Sequence, residues 1–261
     1  MKVTSVVAAA LVCAVMAACD STAPSPSLVD DATINGDVAA SSADAMVSSL
    51  DDMRDDEQFS GLTVSAQSLV APSLIDRERT RTCYDASDAV VPNCSPLSAV
   101  RKLVIHGTFT GSRAGTRTTT GGTTVTWSGA FHRVVDDTVV RNFDGANETS
   151  RTHNDVIAAH DTTSFADGTV TRNMNEAAHD SVRAVTFDLP RSSNPFPVSG
   201  SIVRLDSVNV EATSSDRSAS RQVVRRIEID FPADAQGNVV FKINDRTCSL
   251  NLVTRKVGNC Q

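Results

Sequence analysis

Aromatic residues are scarce: one Trp, one Tyr and nine Phe in 261 positions. Carbohydrate-binding platforms display several exposed Trp or Tyr rings, so that class is disfavoured from the outset. The chain also lacks a Gly-x-Ser-x-Gly elbow, a Ser-x-x-Lys with its penicillin-binding companion motifs, a His-Glu-x-x-His helix and a glycine-rich phosphate cradle. The familiar nucleophile, metalloprotease and nucleotide-binding signatures are therefore absent. No apolar run beyond the N-terminus approaches the ~20 residues of a membrane-spanning helix. Lysine is rare, since 20 of the 24 basic residues are Arg, dispersed singly among Thr, Ser and Asp. That dispersal predicts a solvated, charge-mixed sheet face. Net basic character is missing too. Residues 20–76 hold 11 acids against Arg54 alone, while 77–261 hold 22 basic and 20 acidic residues. A nucleic-acid partner requires a basic stripe that displaces counterions from phosphates, and none exists here.

What is present begins with an address. Lys2, the apolar run Val6 to Met16 and the small residues Ala17 and Ala18 have the layout of an export signal. The segment Val15, Met16, Ala17, Ala18, Cys19 resembles the lipobox of bacterial lipoproteins, with Met16 where Leu is usual. The resemblance implies a diacylglycerol on the Cys19 thiol, cleavage that leaves Cys19 N-terminal, and a membrane partner reached through that lipid. It places the domain in the periplasm or at the cell surface. Acyl chains hold by about 0.8 kcal/mol per buried methylene. The alternative is an ordinary secretory signal cut near Ala18, with Cys19 a free thiol.

After the signal peptide, 1–18, the chain divides by composition. Residues 19–41, rich in Ser, Ala, Asp and Pro, read as a lipid-anchored flexible linker. Residues 42–76 read as a helical and irregular segment. In it Met46, Leu50 and Met53 recur at helical spacing from Ser42 to about Glu57, Ser41 or Ser42 can cap, acids fill the other face, and Gly61 ends the helix. Residues 77–261 form the β domain. Four cysteines remain for it once Cys13 leaves with the signal: Cys83, Cys94, Cys248 and Cys260. An even number in an exported chain reads as disulfides. Of three connectivities, Cys83 with Cys94 and Cys248 with Cys260 is favoured, each pair flanking a turn-rich segment and contributing roughly 2 to 3 kcal/mol. Zinc binding by the thiols would call for a Cys-x-x-Cys pair, which is missing.

From Ser98 onward the pattern has period two. Leu103, Ile105 and Phe109 carry it first, then Val125, Trp127 and Phe131, then Val223, Ile227, Ile229 and Phe231, and last Val239, Phe241 and Ile243. Gly121-Gly122, Asp144-Gly145, Asp167-Gly168, Asn194-Pro195, Gln236-Gly237 and Asn244-Asp245 fall between these runs as turns. The expected fold is all-β: a large antiparallel meander of nine to twelve strands, a curved half-barrel or barrel-like sheet with one short amphipathic helix as plug or cover. A longer exposed connection is expected near Thr213 to Ser220. In outline the arrangement is similar to the half-barrel lipid carriers of the bacterial envelope.

Candidate chemistry is thin. All five histidines, His106, His132, His153, His160 and His179, lie in the strand region, and two occupy a repeat: Ala158-Ala159-His160-Asp161 and Ala177-Ala178-His179-Asp180. His160 and His179 are the weak candidates for a metal, although neighbours on a strand point to opposite faces and His160 and Asp161 cannot readily share a substrate. Asp136 and Asp137 read as a solvated acidic tip, Trp127 as core, and Arg191 to Pro197 as a rigid crossover or a presented loop. No catalytic set converges and no cofactor is expected. The leading expectation is a membrane-anchored envelope lipoprotein acting as a non-enzymatic binding or structural module, its partners an envelope protein or an apolar small molecule. Alternatives are a carrier or sensor of an apolar ligand held between sheet and helix, and a metal-binding or hydrolytic protein using His160 and His179.

Overall fold

The computed structural model describes residues 28–62, 75–119, 121–258 and 260. The signal peptide and Cys19 lie outside the described residues, as do residues 63–74. One helix, α1 (Asp31–Phe59), is followed by ten strands: β1 (Ile75–Tyr84), β2 (Lys102–Thr118), β3 (Thr124–Asp144), β4 (Asn147–Ala166), β5 (Thr171–Asp188), β6 (Ser199–Thr213), β7 (Ser218–Asp230), β8 (Asn238–Ile243), β9 (Arg246–Asn251) and β10 (Lys256–Gly258). Every strand pairs antiparallel with its sequence neighbour in one sheet ordered β1 to β10, which stays open at both edges. The all-β meander expected from the sequence is what forms.

Its turns follow from local chemistry. Between β3 and β4, Gly145 adopts φ +61°, a conformation that costs glycine nothing. At Gly129 the constraint is close approach instead: an added Cβ would sit 2.3 Å from the Thr162 carbonyl oxygen on β4. The connection at 214–217 is a tight hairpin closed by Ser214 N–H donating to Arg217 O (2.9 Å), not the long loop expected there. The longer connections are 85–101 and 189–198. The first holds Cys94, disulfide-bonded to Cys83, and Cys248 is bonded to Cys260. Both favoured pairings are present, and they fit an oxidising, exported environment.

The helix departs most from expectation. It is 29 residues long and begins at Asp31, so the stretch 31–41, read above as flexible linker, is helical. Its cap is Asp30, whose carboxylate accepts from Thr33 N–H (2.9 Å), and not Ser41 or Ser42. At the other end the chain closes as anticipated: Gly61, at φ +78°, donates to Gln58 O and Leu62 to Glu57 O, a Schellman turn. The helix is not amphipathic either. Ile34, Val38, Met46, Leu50 and Met53 pack against Phe109, Phe131, Phe165, Phe187 and Ile227 of the sheet, yet Asp37, Asp44, Asp52, Asp56 and Glu57 are buried as well. The reason is geometric. Arg77 and Arg79 on β1 reach Asp52 and Asp56, while Arg255, between β9 and β10, reaches Asp44 and Asp51. One edge of the sheet and the far end of the meander thus meet the same helix, which fills the concave face and retains no solvated side.

Candidate functional site

The inner face of the sheet carries charge as well as the expected apolar side chains. Counting by twos from Phe131 along β3 gives Arg133, Val135, Asp137 and Val139, all buried. The same phase on β4 gives Arg151, His153, Asp155, Ile157, Ala159 and Asp161. Seven of the twenty Arg residues, several of them expected on a solvated face, are therefore interior, and Asp137 is no exposed tip but a mid-strand residue pointing inward while Asp136 points out. Burial of so many charges is tolerable only because they pair. Arg117 and Arg172 hold Asp37, Arg113 holds Asp161, and Arg225 holds Asn35 and Asp31.

Arg204, fully buried on β6, is the centre of one cluster. Its Nη2 lies 2.9 Å from Asp161 and 3.8 Å from Glu176, its Nη1 3.2 Å from Asp180, and its Nε 3.3 Å from Asp206. Ser41 donates to Glu176 and Ser42 to Asp206, so the two serines tie α1 to the sheet. Burial, and then the Asp206 charge, outweigh the Arg204 guanidinium and hold the Glu176 carboxyl up at about 8. The tetrapeptide repeat belongs to this cluster. Ala159 pairs directly with Ala178, which sets the two copies antiparallel on β4 and β5. Each copy sends its Asp inward to Arg204 and its His outward to solvent.

The second cluster lies under the C-terminal turn of α1. His153, wholly buried, stands with Nε2 2.9 Å from Glu57 Oε1 and Nδ1 2.9 Å from Asp137 Oδ2. Glu57 also takes Arg151 (2.7 Å) and Arg191, the latter brought in by the 189–198 connection. That connection joins adjacent strands, so it is a hairpin loop rather than a crossover, and Arg191 ties it to the core rather than leaving it a presented loop. Burial alone would push Glu57 up, but the hydrogen bond from His153 and the charges of Arg191, His153 and Arg151 hold it down at about 2. Burial likewise opposes charge on His153, and Asp137 and Glu57 outweigh it to hold the imidazole at about 9. Asp155 sits directly across from Asp137 in the β3–β4 register. Burial, and then the Asp137, Asp56 and Asp52 charges, push its carboxyl well above the ordinary range. The β4–β5 register shifts between His153 and Val156, so Asn154 and Asp155 are unpaired on the β5 side while staying paired with β3. Among the described residues, Asp137, His153 and Asp155 are the group whose potential metal-ligand atoms all come within 4.8 Å of one another.

The outer face is mostly polar, with Val156, Leu205, Val224 and Val240 exposed among the polar side chains. His160 is exposed and stands directly opposite exposed His132; His179 is one diagonal away, its partner being Ala158. The two candidate histidines share a face, but their ligand atoms do not converge with a third group. An open trough of about 840 Å³ crosses the outer face, lined by residues such as Ser128, Thr162, Asn173, Asn175, Asn209 and Gln222. His153 could not be singled out from the sequence, because nothing local distinguishes it from the exposed histidines; only its phase, in step with Ile157 and Phe165, carried the signal. No described helix is long and apolar enough to cross a membrane. No protein-family model matches the chain, and neither does any curated protein or solved structure.

Proposed function

We propose that the chain is a lipid-anchored envelope protein whose β domain works as a non-enzymatic binding or structural module. The observation that supports this is the use of the concave face. Sheets of this shape can enclose a ligand, but here the enclosed space is taken by the chain's own helix, bound through interior ion pairs to the strands around it. The reading as a carrier of an apolar molecule needs that same space, which Ile34, Met46, Leu50 and Met53 of the helix already fill against the sheet, with ion pairs buried around them. The working surface is then the outer face, whose trough of hydroxyl and amide groups suits a polar partner.

The tether fits the same picture. Ten residues lie between Cys19 and the helix cap at Asp30, and those eleven Cα–Cα steps reach about 40 Å at most. The domain would be held close to the bilayer by a helix that cannot leave the sheet without stranding buried charges. The test is fractionation of wild-type and Cys19→Ser cells with metabolic fatty-acid labelling, beside native mass spectrometry and a hydrolase panel on the purified protein. Label and membrane association that both depend on Cys19, with no turnover, support the reading. Soluble wild-type protein, a copurified apolar lipid, or turnover abolished by one substitution would overturn it.

A further inference from the structure

We propose that Asp137, Asp155 and His153 form a binding site for one divalent cation of the zinc class, with Glu57 as the residue that orients the imidazole. The argument begins with two like charges placed in direct register. Asp137 on β3 and Asp155 on β4 face one another on the buried side of the sheet. Carboxylates so placed repel unless a proton or a metal ion lies between them, and burial with the Asp137 contact already pushes Asp155 toward the protonated form, whose proton a metal would have to displace. The nearby cations are committed elsewhere: Arg79 pairs with Asp56, Arg77 and Arg133 face Asp52, and Arg151 and Arg191 hold Glu57. Among the described residues, His153 is the cation that faces the pair, and it touches Asp137.

Two buried oxygens point to the missing partner. Asp137 Oδ1 and Asp155 Oδ1 accept no hydrogen bond, although their residues are 0 % and 4 % exposed. Buried polar atoms of this kind are rare and call for an explanation. The histidine supplies the rest of the geometry. Its Nε2 is engaged by Glu57, which leaves Nδ1 facing the two aspartates. A carboxylate that fixes one ring nitrogen so that the other can bind metal is the usual outer support of a histidine ligand. The 2.9 Å between Nδ1 and Asp137 Oδ2 is a separation that two donors can span from a common ion, each about 2.0 to 2.2 Å away. Neutral imidazole, two carboxylates and one divalent ion also sum to zero charge, which suits a buried site. A cleft of about 390 Å³ is lined by Arg151, the partner of Glu57, together with Glu148 and Leu189.

The four other histidines make a clean test possible, because His106, His132, His160 and His179 are all exposed and removable. In the protein with all four changed to Gln, His153 is the sole histidine. Zinc is titrated by calorimetry into the chelator-treated protein and counted by elemental analysis, with Mn²⁺, Ca²⁺ and Mg²⁺ as separate probes. The proposal expects one Zn²⁺ per chain, bound as tightly as in wild type. Adding Asp155→Asn should weaken binding by about 100-fold or more, while the melting temperature in chelator stays equal or rises. Zinc binding that disappears with the four surface histidines, or survives Asp155→Asn unchanged, would overturn it, as would a wild-type protein that binds no zinc. Should Asp155→Asn fail to fold, the quadruple variant alone decides, since an outer-face site cannot survive in it.

Discussion

Replacing Arg204 with Met tests whether the interior charges hold this fold. The side chain is fully buried and faces Asp161, Asp180, Asp206 and Glu176 between 2.9 and 3.8 Å. Asp161 would keep Arg113 at 2.7 Å, and Glu176 is held uncharged through neutral pH, whereas Asp180 and Asp206 would lose their nearest cation. Removing one partner of a buried ion pair costs about 3 to 5 kcal/mol, because the desolvated charge left behind has no counterion. That is a large part of the roughly 5 to 15 kcal/mol by which a domain is stable, and it corresponds to a melting-temperature loss of about 6 to 20 °C at this size. Asp180, raised by burial even beside Arg204, can escape further only by taking up a proton, so its folded-state pKa lies above the unfolded value. The folded state then binds more protons, and the deficit is complete at high pH and shrinks as pH falls toward 4. The assay is urea unfolding followed by strand circular dichroism at pH 8, 6 and 4.5. The triple variant Arg204→Met/Asp180→Asn/Asp206→Asn should recover more than half of the loss at pH 8. A single variant that loses under about 1 kcal/mol, or whose loss is the same at every pH, would mean that water screens these charges and that the ion pairs do not hold the helix.

Further outcomes follow from the same contacts. Glu176, raised to about 8, destabilises the fold progressively as pH rises from about 4.5 to 8; Glu176→Gln should match wild type near pH 4.5 and exceed it by about 1 kcal/mol or more at pH 9, and equal or lower stability at pH 9 would contradict that assignment. Glu57→Gln leaves Arg151, Arg191 and His153 without their shared anion, and chemical denaturation at pH 7 should register a loss of about 3 to 5 kcal/mol. Gly129→Ala forces a Cβ against the Thr162 carbonyl and should cost about 1 to 3 kcal/mol, read as a melting shift; an unshifted melting curve would show that β3 and β4 can part there freely. Replacing Cys248 and Cys260 together by Ser should cost about 2 to 3 kcal/mol under oxidising conditions and nothing once both proteins are reduced.

Strand number, antiparallel order, hairpin turns and disulfide pairing could be read from the sequence because each rests on local chemistry: alternation of apolar residues, residues that tolerate positive φ, and cysteines close along the chain. Helix length could not. Residues 31–41 hold Ala, Ser, Asp and a glycine, too little apolar surface to fold alone, and they are helical only because the sheet encloses them. Gly36 shows the dependence, since the Arg117 guanidinium lies 3.2 Å from where its Cβ would be.

The interior charges escaped a residue-by-residue reading for a different reason. A strand with one buried face is expected to alternate apolar and polar, so Arg133, Asp137, His153 and Asp161 look like solvent residues until they are counted in phase with Phe131, Ile157 and Phe165. In the Ala-Ala-His-Asp repeat that count reverses the roles of its last two residues. The period-two rule sends Ala159 and Asp161 to one face and His160 to the other, and Phe165, in step with Asp161, identifies the buried one. The Asp of each copy is therefore the residue under constraint, through Arg204, and the His is free to vary. Substituting Asp161 or Asp180 should destabilise the fold as substituting His160 or His179 does not, a contrast opposite to the one that the reactive chemistry of histidine would suggest.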